Sequence, residues 1–172
     1  MSTMAIRDAI NAAVEYLTQH PDEARYTDSK ATAVLEAGLA VTVTGPDGAL
    51  VRTDMPKSVG GGGSAPSPGW LLRAAQASCL ATLIAMRSAQ EGLKPGRIEV
   101  TVDSQSDDRG ILGIDDNVPA GPISSRASVH VELAELAADS MEKVVAWADR
   151  HCPVQDAVRR AVPCNTVSRT DK

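Results

Sequence analysis

Aromatic residues are scarce in this chain of 172 residues: they make up 2% of it, and phenylalanine is absent. A hydrophobic core must therefore be built from Ala, Val, Leu, Ile and Met, whose side chains are aliphatic and mostly small. The length is sufficient for one domain that buries such a core. We expect closely packed helices and an aliphatic interior.

An excess of positive charge is also missing. The chain has 17 Lys and Arg against 22 Asp and Glu, for a formal net charge of -5. This balance disfavours binding to nucleic acid or to anionic membranes. No apolar run approaches the roughly 18 residues of a membrane span, and the N-terminus lacks the pattern of a signal peptide. We predict a soluble, cytoplasmic protein with no nucleic-acid or membrane partner.

Cysteine is too rare for a disulfide scaffold, since the chain has only Cys79, Cys152 and Cys164. No CxxC pair and no nearby pair of histidines indicates a zinc site. We therefore predict no metal and no cofactor. In a cytosolic protein such cysteines are reactive, metal-binding or inert.

The first 29 residues differ from the rest of the chain. Residues 3–19 have the apolar spacing of an amphipathic helix, and residues 21–29 are polar. We divide the chain into a helical extension with its linker, residues 1–29, and one domain, residues 30–172.

The rest of the sequence predicts alternating strands and helices of an α+β fold with a mainly antiparallel sheet. The expected order is three strands, a long helix, two strands, two helices and a last strand. In sequence these elements are 30–36, 39–45, 49–55, 68–91, 97–105, 126–134, 139–151, 152–162 and 162–169.

A glycine-rich segment, residues 59–69, precedes the long helix. Taken alone it predicts a flexible linker. It ends in Ser67-Pro68, which suits an N-cap and a first helical position, and Gly92 suits the left-handed residue after the helix. We expect one face of this helix to be buried: Leu72, Ala75, Cys79, Leu83 and Met86.

Cys79 and Cys164, each considered alone, are best interpreted as ordinary core thiols. Cys152 is different, because Pro153 fits the first position of a helix and places Cys152 at the N-cap. The N–H groups and dipole of a helix start favour a thiolate, and cysteine is an uncommon cap. Two interpretations stay open for Cys152: a reactive thiol and a half-buried thiol without a role.

The segment PGWLLRAAQASCLATLI, residues 68–84, resembles the central helix of the OsmC/Ohr family, and HCPVQDAV, residues 151–158, resembles that family's second motif. The resemblance extends over roughly residues 30–169. It implies an α+β OsmC-like fold in which an antiparallel sheet wraps around a long central helix. It also implies an intertwined homodimer.

The resemblance further implies a thiol peroxidase that reduces organic hydroperoxides. Cys79 would be the peroxidatic cysteine and Cys152 the resolving cysteine of an intramolecular disulfide. An external dithiol would reduce that disulfide. The chemistry is consistent, because a sulfenic acid needs a second thiol nearby to escape overoxidation.

Two family features are missing. A glutamate ten residues before the cysteine is replaced by Gly69, and the turn at 36–38 has no arginine. A thiol in apolar surroundings needs a cation to become a thiolate. We select Arg109, in a loop flanked by glycine, as the substitute cation. The alternative is a solvated or salt-bridged arginine among acids.

The function that we predict is reduction of organic hydroperoxides in oxidative-stress defence. Two alternatives use the same fold: a non-enzymatic dimer that binds an apolar ligand, and a redox sensor that uses the cysteine pair.

Overall fold

Ten helices and strands are present in the computed structural model, which describes residues 2–132 and 138–170. Up to the last helix they follow the predicted order with one addition, a short helix between the fourth and fifth strands where a loop was predicted, and the α+β class is confirmed. The helices are α1 (Thr3–Gln19), α2 (Pro68–Gln90), α3 (Asp108–Ile111), α4 (Ala138–His151) and α5 (Pro153–Arg159). The strands are β1 (Thr32–Leu35), β2 (Val41–Thr44), β3 (Leu50–Thr53), β4 (Ile98–Gln105) and β5 (Ser124–Val131).

Both ends of α2 and the start of α5 lie where the sequence predicts them. The Ser67 side chain accepts a hydrogen bond of 3.2 Å from the Trp70 N–H at the start of α2. Gly92, at a φ of 72°, follows the end of α2 in the left-handed conformation. Cys152 is the N-cap of α5, and Pro153 occupies the first helical position. The predicted cap of each helix is confirmed.

The strands form two separate antiparallel sheets. β1, β2 and β3 are a meander in which Val43 pairs with Val51. Its second turn has left-handed backbone at Asp47 and Gly48, as the sequence around it predicts. β4 and β5 pair along their whole length, from Ile98 opposite Val131 to Gln105 opposite Ser124. Only this second sheet packs extensively on α2 within the described chain.

The core lies between α2, α4 and the β4–β5 sheet. α2 buries a row of side chains at four-residue spacing, and α4 packs against it. Because residues four apart lie on one helical face, this row forms a continuous contact surface. The apolar core residues are Leu80, Ile84, Met141, Val144, Ala148 and Cys152.

The buried face of α2 is not the one that the sequence predicts. Leu72 and Ala75 are exposed, and Cys79, Leu83 and Met86 are only half-buried. The buried row is shifted by one residue and includes two polar side chains, Gln76 and Ser88. Hydrophobic spacing could not find it, because these two polar residues lie on the core side of the helix. The predicted stripe flanks the core.

The glycine-rich segment is held in place, contrary to the expectation of a flexible linker. The buried carboxylate of Asp54 accepts hydrogen bonds from the backbone N–H groups of Met55, Gly62 and Ser64 and from the Ser64 hydroxyl, at 2.7–3.3 Å. The bonds from Ser64 hold the pKa of Asp54 below its ordinary value. The carboxylate therefore stabilises the fold above about pH 4, and this contribution is lost as the pH falls through the lowered pKa.

The structure of the C-terminal segment shows that the prediction of a last strand is wrong. Residues 161–170 contain no strand and are exposed, whereas a last strand was expected at 162–169. A strand forms only where another strand offers its N–H and C=O groups, and no strand of the described chain pairs with this segment. The predicted strand 126–134 is β5, which starts at Ser124; residues 133 and 134 lie outside the described residues.

The N-terminal helix packs against α2, and its Ile6 and Ile10 side chains are half-buried. Most of its remaining apolar side chains are exposed. The division between residues 1–29 and the domain stays a prediction.

The central helix also bears on the question of membranes. Within the described residues, α2 is the one helix whose length and composition match a membrane span. The match is weak evidence, because the core helix of a soluble protein passes the same test. The position of α2, between α4 and the β4–β5 sheet, is that of a core helix.

We expect Gly61→Ala to destabilise the glycine-rich loop. A Cβ atom at Gly61 would lie 1.9 Å from the Met55 carbonyl oxygen, so the backbone must move. Overpacking of this kind costs about 1–3 kcal/mol. The measurement is the free energy of urea unfolding. Gly121→Ala is the matched control, because nothing lies within 4 Å of its added Cβ. Equal stabilities of the two variants would contradict the prediction.

Candidate functional site

The two cysteines of the predicted pair meet where α5 begins against α2. Cys152 is 0% exposed and belongs to the core, and Cys79 packs against that core from the middle of α2. Both thiols are free, and Cys152 lies close enough to raise the pKa of Cys79. The structure therefore brings together two residues that are far apart in sequence. Cys164, in contrast, lies in the exposed C-terminal segment rather than in a core strand.

The start of α5 contributes a third group to the thiol pair. The first N–H groups of a helix have no carbonyl acceptor within it. Cys152 caps α5 without any side-chain hydrogen bond to these N–H groups. Instead, the backbone N–H of Val154 donates to the sulfur of Cys79. One donor of the helix start is thus used to stabilise a thiolate on the neighbouring helix.

The surroundings nevertheless favour the neutral thiol at Cys79. Burial is the largest cause of a raised pKa, and the hydrogen bond and charge of Cys152 raise the pKa of Cys79 further. The N–H of Val154 acts in the opposite direction and does not outweigh them.

Arg109 is placed on α3, and its contacts are to Asp107. Its guanidinium donates to both carboxylate oxygens of Asp107, at distances from 2.5 to 3.1 Å. The interaction lowers the pKa of Asp107 to about 2. The side chain of Arg109 is 56% exposed. In the described chain the structure does not bring Arg109 to the thiol pair: the groups that shift the pKa of Cys79 belong to Cys152 and Val154.

The two missing family features have different structural settings. A Cβ atom at Gly69 would meet only the Ser67 Oγ, at 3.9 Å, so packing does not require glycine there. Gly38, in the turn between β1 and β2, has a φ of 61°, which favours glycine. The turn therefore has a backbone reason for its sequence, whereas Gly69 leaves open space at the start of α2.

A cavity of about 660 Å³ opens between α2, β5 and α5. Sequence analysis missed it, because its polar residues come from three separate segments without a motif. Gln76 precedes Cys79 by one helical turn and Gln155 follows Cys152 by the same interval. The lining residues are Leu72, Gln76, Pro122, Ile123, Ser124, Ser125, Ala127, Asp149, Gln155, Ala157, Val158 and Arg159.

No arrangement suited to a metal ion accompanies the thiols. Within the described residues, no group of three or more His, Cys, Asp or Glu side chains is close enough to hold one. What the site offers is a pair of free thiols, one backbone donor and a neighbouring cavity. This arrangement can form and break a disulfide.

Comparison with known proteins identifies the same region. A family model described as OsmC-like protein matches residues 61–167. A search of curated proteins finds no match. The fold is similar to that of an organic hydroperoxide resistance protein from Legionella pneumophila, at 22% identity and a TM-score of 0.57, over 78% of this chain and 91% of that one.

Two further solved structures show the same similarity. An OsmC-like protein from Mycoplasma pneumoniae is 13% identical, with a TM-score of 0.64 over 80% of this chain and 91% of that one. An OsmC-like protein of unknown function from Vibrio cholerae is 12% identical, with a TM-score of 0.59 over 77% and 94%. At these identities the structures establish the fold.

We expect Cys79 to be alkylated at half-maximal rate only above about pH 8.5, the ordinary thiol value. Cys152→Ser should lower that pH, because serine removes the ionisable neighbour. The measurement is the iodoacetamide rate at Cys79 by peptide mass spectrometry, with exposed Cys164 as the internal reference for the reagent. If the pH of half-maximal Cys79 alkylation is unchanged or higher in Cys152→Ser, the conclusion that Cys152 raises the pKa of Cys79 is wrong.

The raised pKa also predicts how stability depends on pH. The folded, reduced protein holds the Cys79 proton more tightly than the unfolded chain does. This contribution is therefore present below about pH 8.5 and is lost as the pH rises through the folded pKa. Cys79→Ser should show a smaller loss of stability in the same pH range.

Proposed function

Because the chain belongs to the OsmC-like protein family, we propose that it reduces organic hydroperoxides with Cys79 and Cys152 and serves in oxidative-stress defence. The observation that carries the proposal is the pair of free thiols, of which Cys152 belongs to the core and Cys79 packs against it. A solved structure of similar fold is named as an organic hydroperoxide resistance protein, which supports the substrate class.

In the proposed reaction the Cys79 thiolate attacks the distal oxygen of the hydroperoxide. The O–O bond breaks, a sulfenic acid forms on Cys79, and the alkoxide takes up a proton to leave as an alcohol. The thiolate of Cys152 then attacks the sulfenic sulfur, and hydroxide leaves and is protonated to water. An external dithiol reduces the resulting disulfide. Cys152 is already next to Cys79, so the sulfenic acid needs no large movement to be resolved.

The assignment of roles follows from exposure. Cys79 is half-buried on α2 and Cys152 is fully buried beneath it. A peroxide from solvent therefore reaches Cys79 first. Cys152 is better placed to attack from the protein interior, which supports its role as the resolving cysteine.

Arg109 remains our proposed substitute cation. In the single chain its guanidinium is paired with Asp107, so it would have to exchange that partner for the thiolate. The alkylation measurement tests this on a Cys152→Ser background. Arg109→Ala should raise the pH of half-maximal Cys79 alkylation by about 1–3 units if the guanidinium reaches the sulfur. Identical profiles would remove Arg109 from the site.

A homodimer is part of the proposal, and the meander supports it. On one face its strands expose large apolar side chains, among them Leu35 at 62% and Val51 at 42%. In the described chain no helix packs extensively against these strands. A small sheet needs a packed apolar face to be stable. The flank of α2 is also open, at Trp70 and Leu72, and we propose that the meander of a second copy covers it.

We expect Cys79 and Cys152 to form the main disulfide on mild oxidation, with Cys164 left as a thiol. Cys79→Ser should abolish hydroperoxide reduction. Cys152→Ser should allow one turnover and then stall or overoxidise, because sulfenic acid would form without its resolving partner. The measurements are non-reducing peptide mapping and stopped-flow turnover with cumene hydroperoxide. A dominant bridge to Cys164 would refute the pairing.

We expect a homodimer even in dilute solution, measured by light scattering. Leu35→Glu should shift the mass towards one chain, because it places a charge on the apolar face of the meander. Ile114→Glu is the matched control, since Ile114 is similarly exposed but lies outside the meander. A monomeric mass for the folded wild-type protein would contradict the dimer.

One alternative function has support from the thiols themselves. A pair of free thiols can be oxidised once to a disulfide without repeated turnover, which is the event that a redox sensor requires. The other alternative, binding of an apolar ligand, is favoured by a groove of about 640 Å³ between β5 and α4. Steady-state turnover of a hydroperoxide with several dithiol reductants distinguishes the three functions. A reductase turns over repeatedly, and a redox sensor is oxidised only once. A scaffold that binds an apolar ligand does neither.

A further inference from the structure

The cavity between α2, β5 and α5 holds two glutamine side chains that the proposed reaction does not use. Gln76 is 1% exposed and Gln155 is 7% exposed, and both line the cavity. Burying an amide costs free energy unless hydrogen bonds compensate it. Leucine would fill the same volume on either helix without that cost. Two buried amides at one cavity wall therefore need an explanation beyond packing.

A hydrogen bond orients one of these two amides at the cavity wall. The Oε1 of Gln76 accepts a bond of 2.9 Å from the Ser125 hydroxyl. Serine thus fixes the orientation of the amide and occupies its oxygen. Within the described residues, no fully buried side-chain nitrogen or oxygen lacks a partner. The surface of Gln76 and Gln155 that remains accessible is therefore accessible from the cavity.

The cavity lies beside the thiol pair. Gln76 precedes Cys79 by three residues, or about 4.5 Å of helix rise. Gln155 follows Cys152 by three residues on α5. A volume of about 660 Å³ is in the range of cavities that hold small organic molecules.

The charges at the rim compensate each other. The guanidinium of Arg159 donates to the Asp149 carboxylate at 2.5 Å and to the Asp149 carbonyl at 2.8 Å. This pair gives the cavity no net charge with which to select an anion or a cation. The selectivity that remains comes from the neutral amides and hydroxyls of Gln76, Gln155, Ser124 and Ser125.

From this geometry we propose that Gln76 and Gln155 determine specificity and select hydroperoxides whose organic part is small, uncharged and carries a hydrogen-bonding group such as an amide. The proposal rests on the proposed reductase function and narrows its substrate class. The amide of the substrate would accept from the glutamine N–H groups, and its aliphatic part would contact Leu72 and Ile123. A long acyl chain or an aromatic ring would leave these donors without a partner, which costs binding free energy.

The test compares kcat/KM for the hydroperoxide of N-acetyl-leucine amide with kcat/KM for cumene hydroperoxide. The wild type should prefer the amide substrate. Gln76→Leu and Gln155→Leu should each lower kcat/KM for the amide substrate by roughly three- to tenfold, the effect of one lost hydrogen bond, and should leave cumene hydroperoxide unchanged or improved. Gln90→Leu is the matched control on the same helix, roughly 21 Å of rise from Gln76.

The outcomes separate the two proposals. A wild-type preference for cumene hydroperoxide, or an equal loss on both substrates in the leucine variants, overturns the specificity proposal and leaves the reductase intact. If the wild type reduces neither substrate, the reductase proposal fails. Binding of N-acetyl-leucine amide then tests whether Gln76 and Gln155 recognise an amide in the cavity. N-acetyl-leucine amide should then bind more weakly to both leucine variants than to the wild type and Gln90→Leu, measured by NMR titration. Equal binding overturns the proposal.

Discussion

The contact between the first turn of α5 and the middle of α2 is the constraint on which the rest of the site depends. Pro153 starts α5, and this start places Cys152 in the core and points the Val154 N–H at Cys79. The contact can be close because the facing side chains are small: Cys79, Ala148 and Cys152 lie where larger residues would separate the helices. A core without phenylalanine is suited to this arrangement, since bulky rings would hold the two sulfurs apart.

Sequence could predict this contact in part. The Cys152-Pro153 pair has a local signature, because N-cap and first-turn preferences depend on neighbouring residues. The meeting of Cys152 with Cys79 has none, and only the family resemblance indicated it. Gln76 and Ser88 show the limit of hydrophobic spacing: both are buried through contacts to Ser125 and Met141, which are distant in sequence. Asp54 was missed for the same reason, since its carboxylate organises a loop that residues 62 and 64 supply.

The wrong prediction of a last strand and the exposed meander have one physical cause. Both are β-type segments that the described chain does not cover. Val162, Thr166 and Val167 favour a strand in residues 162–169, but a strand is defined by its neighbour, and local sequence cannot say which segment provides it. The N-terminal meander has its own internal pairing and therefore folds as predicted. What it lacks is a surface for its apolar face, which is a question of packing between elements and not of local sequence.

The chemistry of Cys79 follows from the balance between burial and donors. Burial protects a sulfenic acid from solvent and keeps Cys152 within reach, yet the same burial raises the pKa of the attacking thiol. An arginine in the turn at 36–38 would relieve this conflict, and a glutamate at position 69 could orient it; this chain has neither. Val154 offers a neutral donor in its place, which stabilises a thiolate less than a full charge does. A thiolate in such a site is scarce at neutral pH but is a strong nucleophile when it forms, because nucleophilicity rises with thiol pKa. A peroxide held by Gln76 and Gln155 as proposed would be at high effective concentration near Cys79, which offsets the small fraction of thiolate.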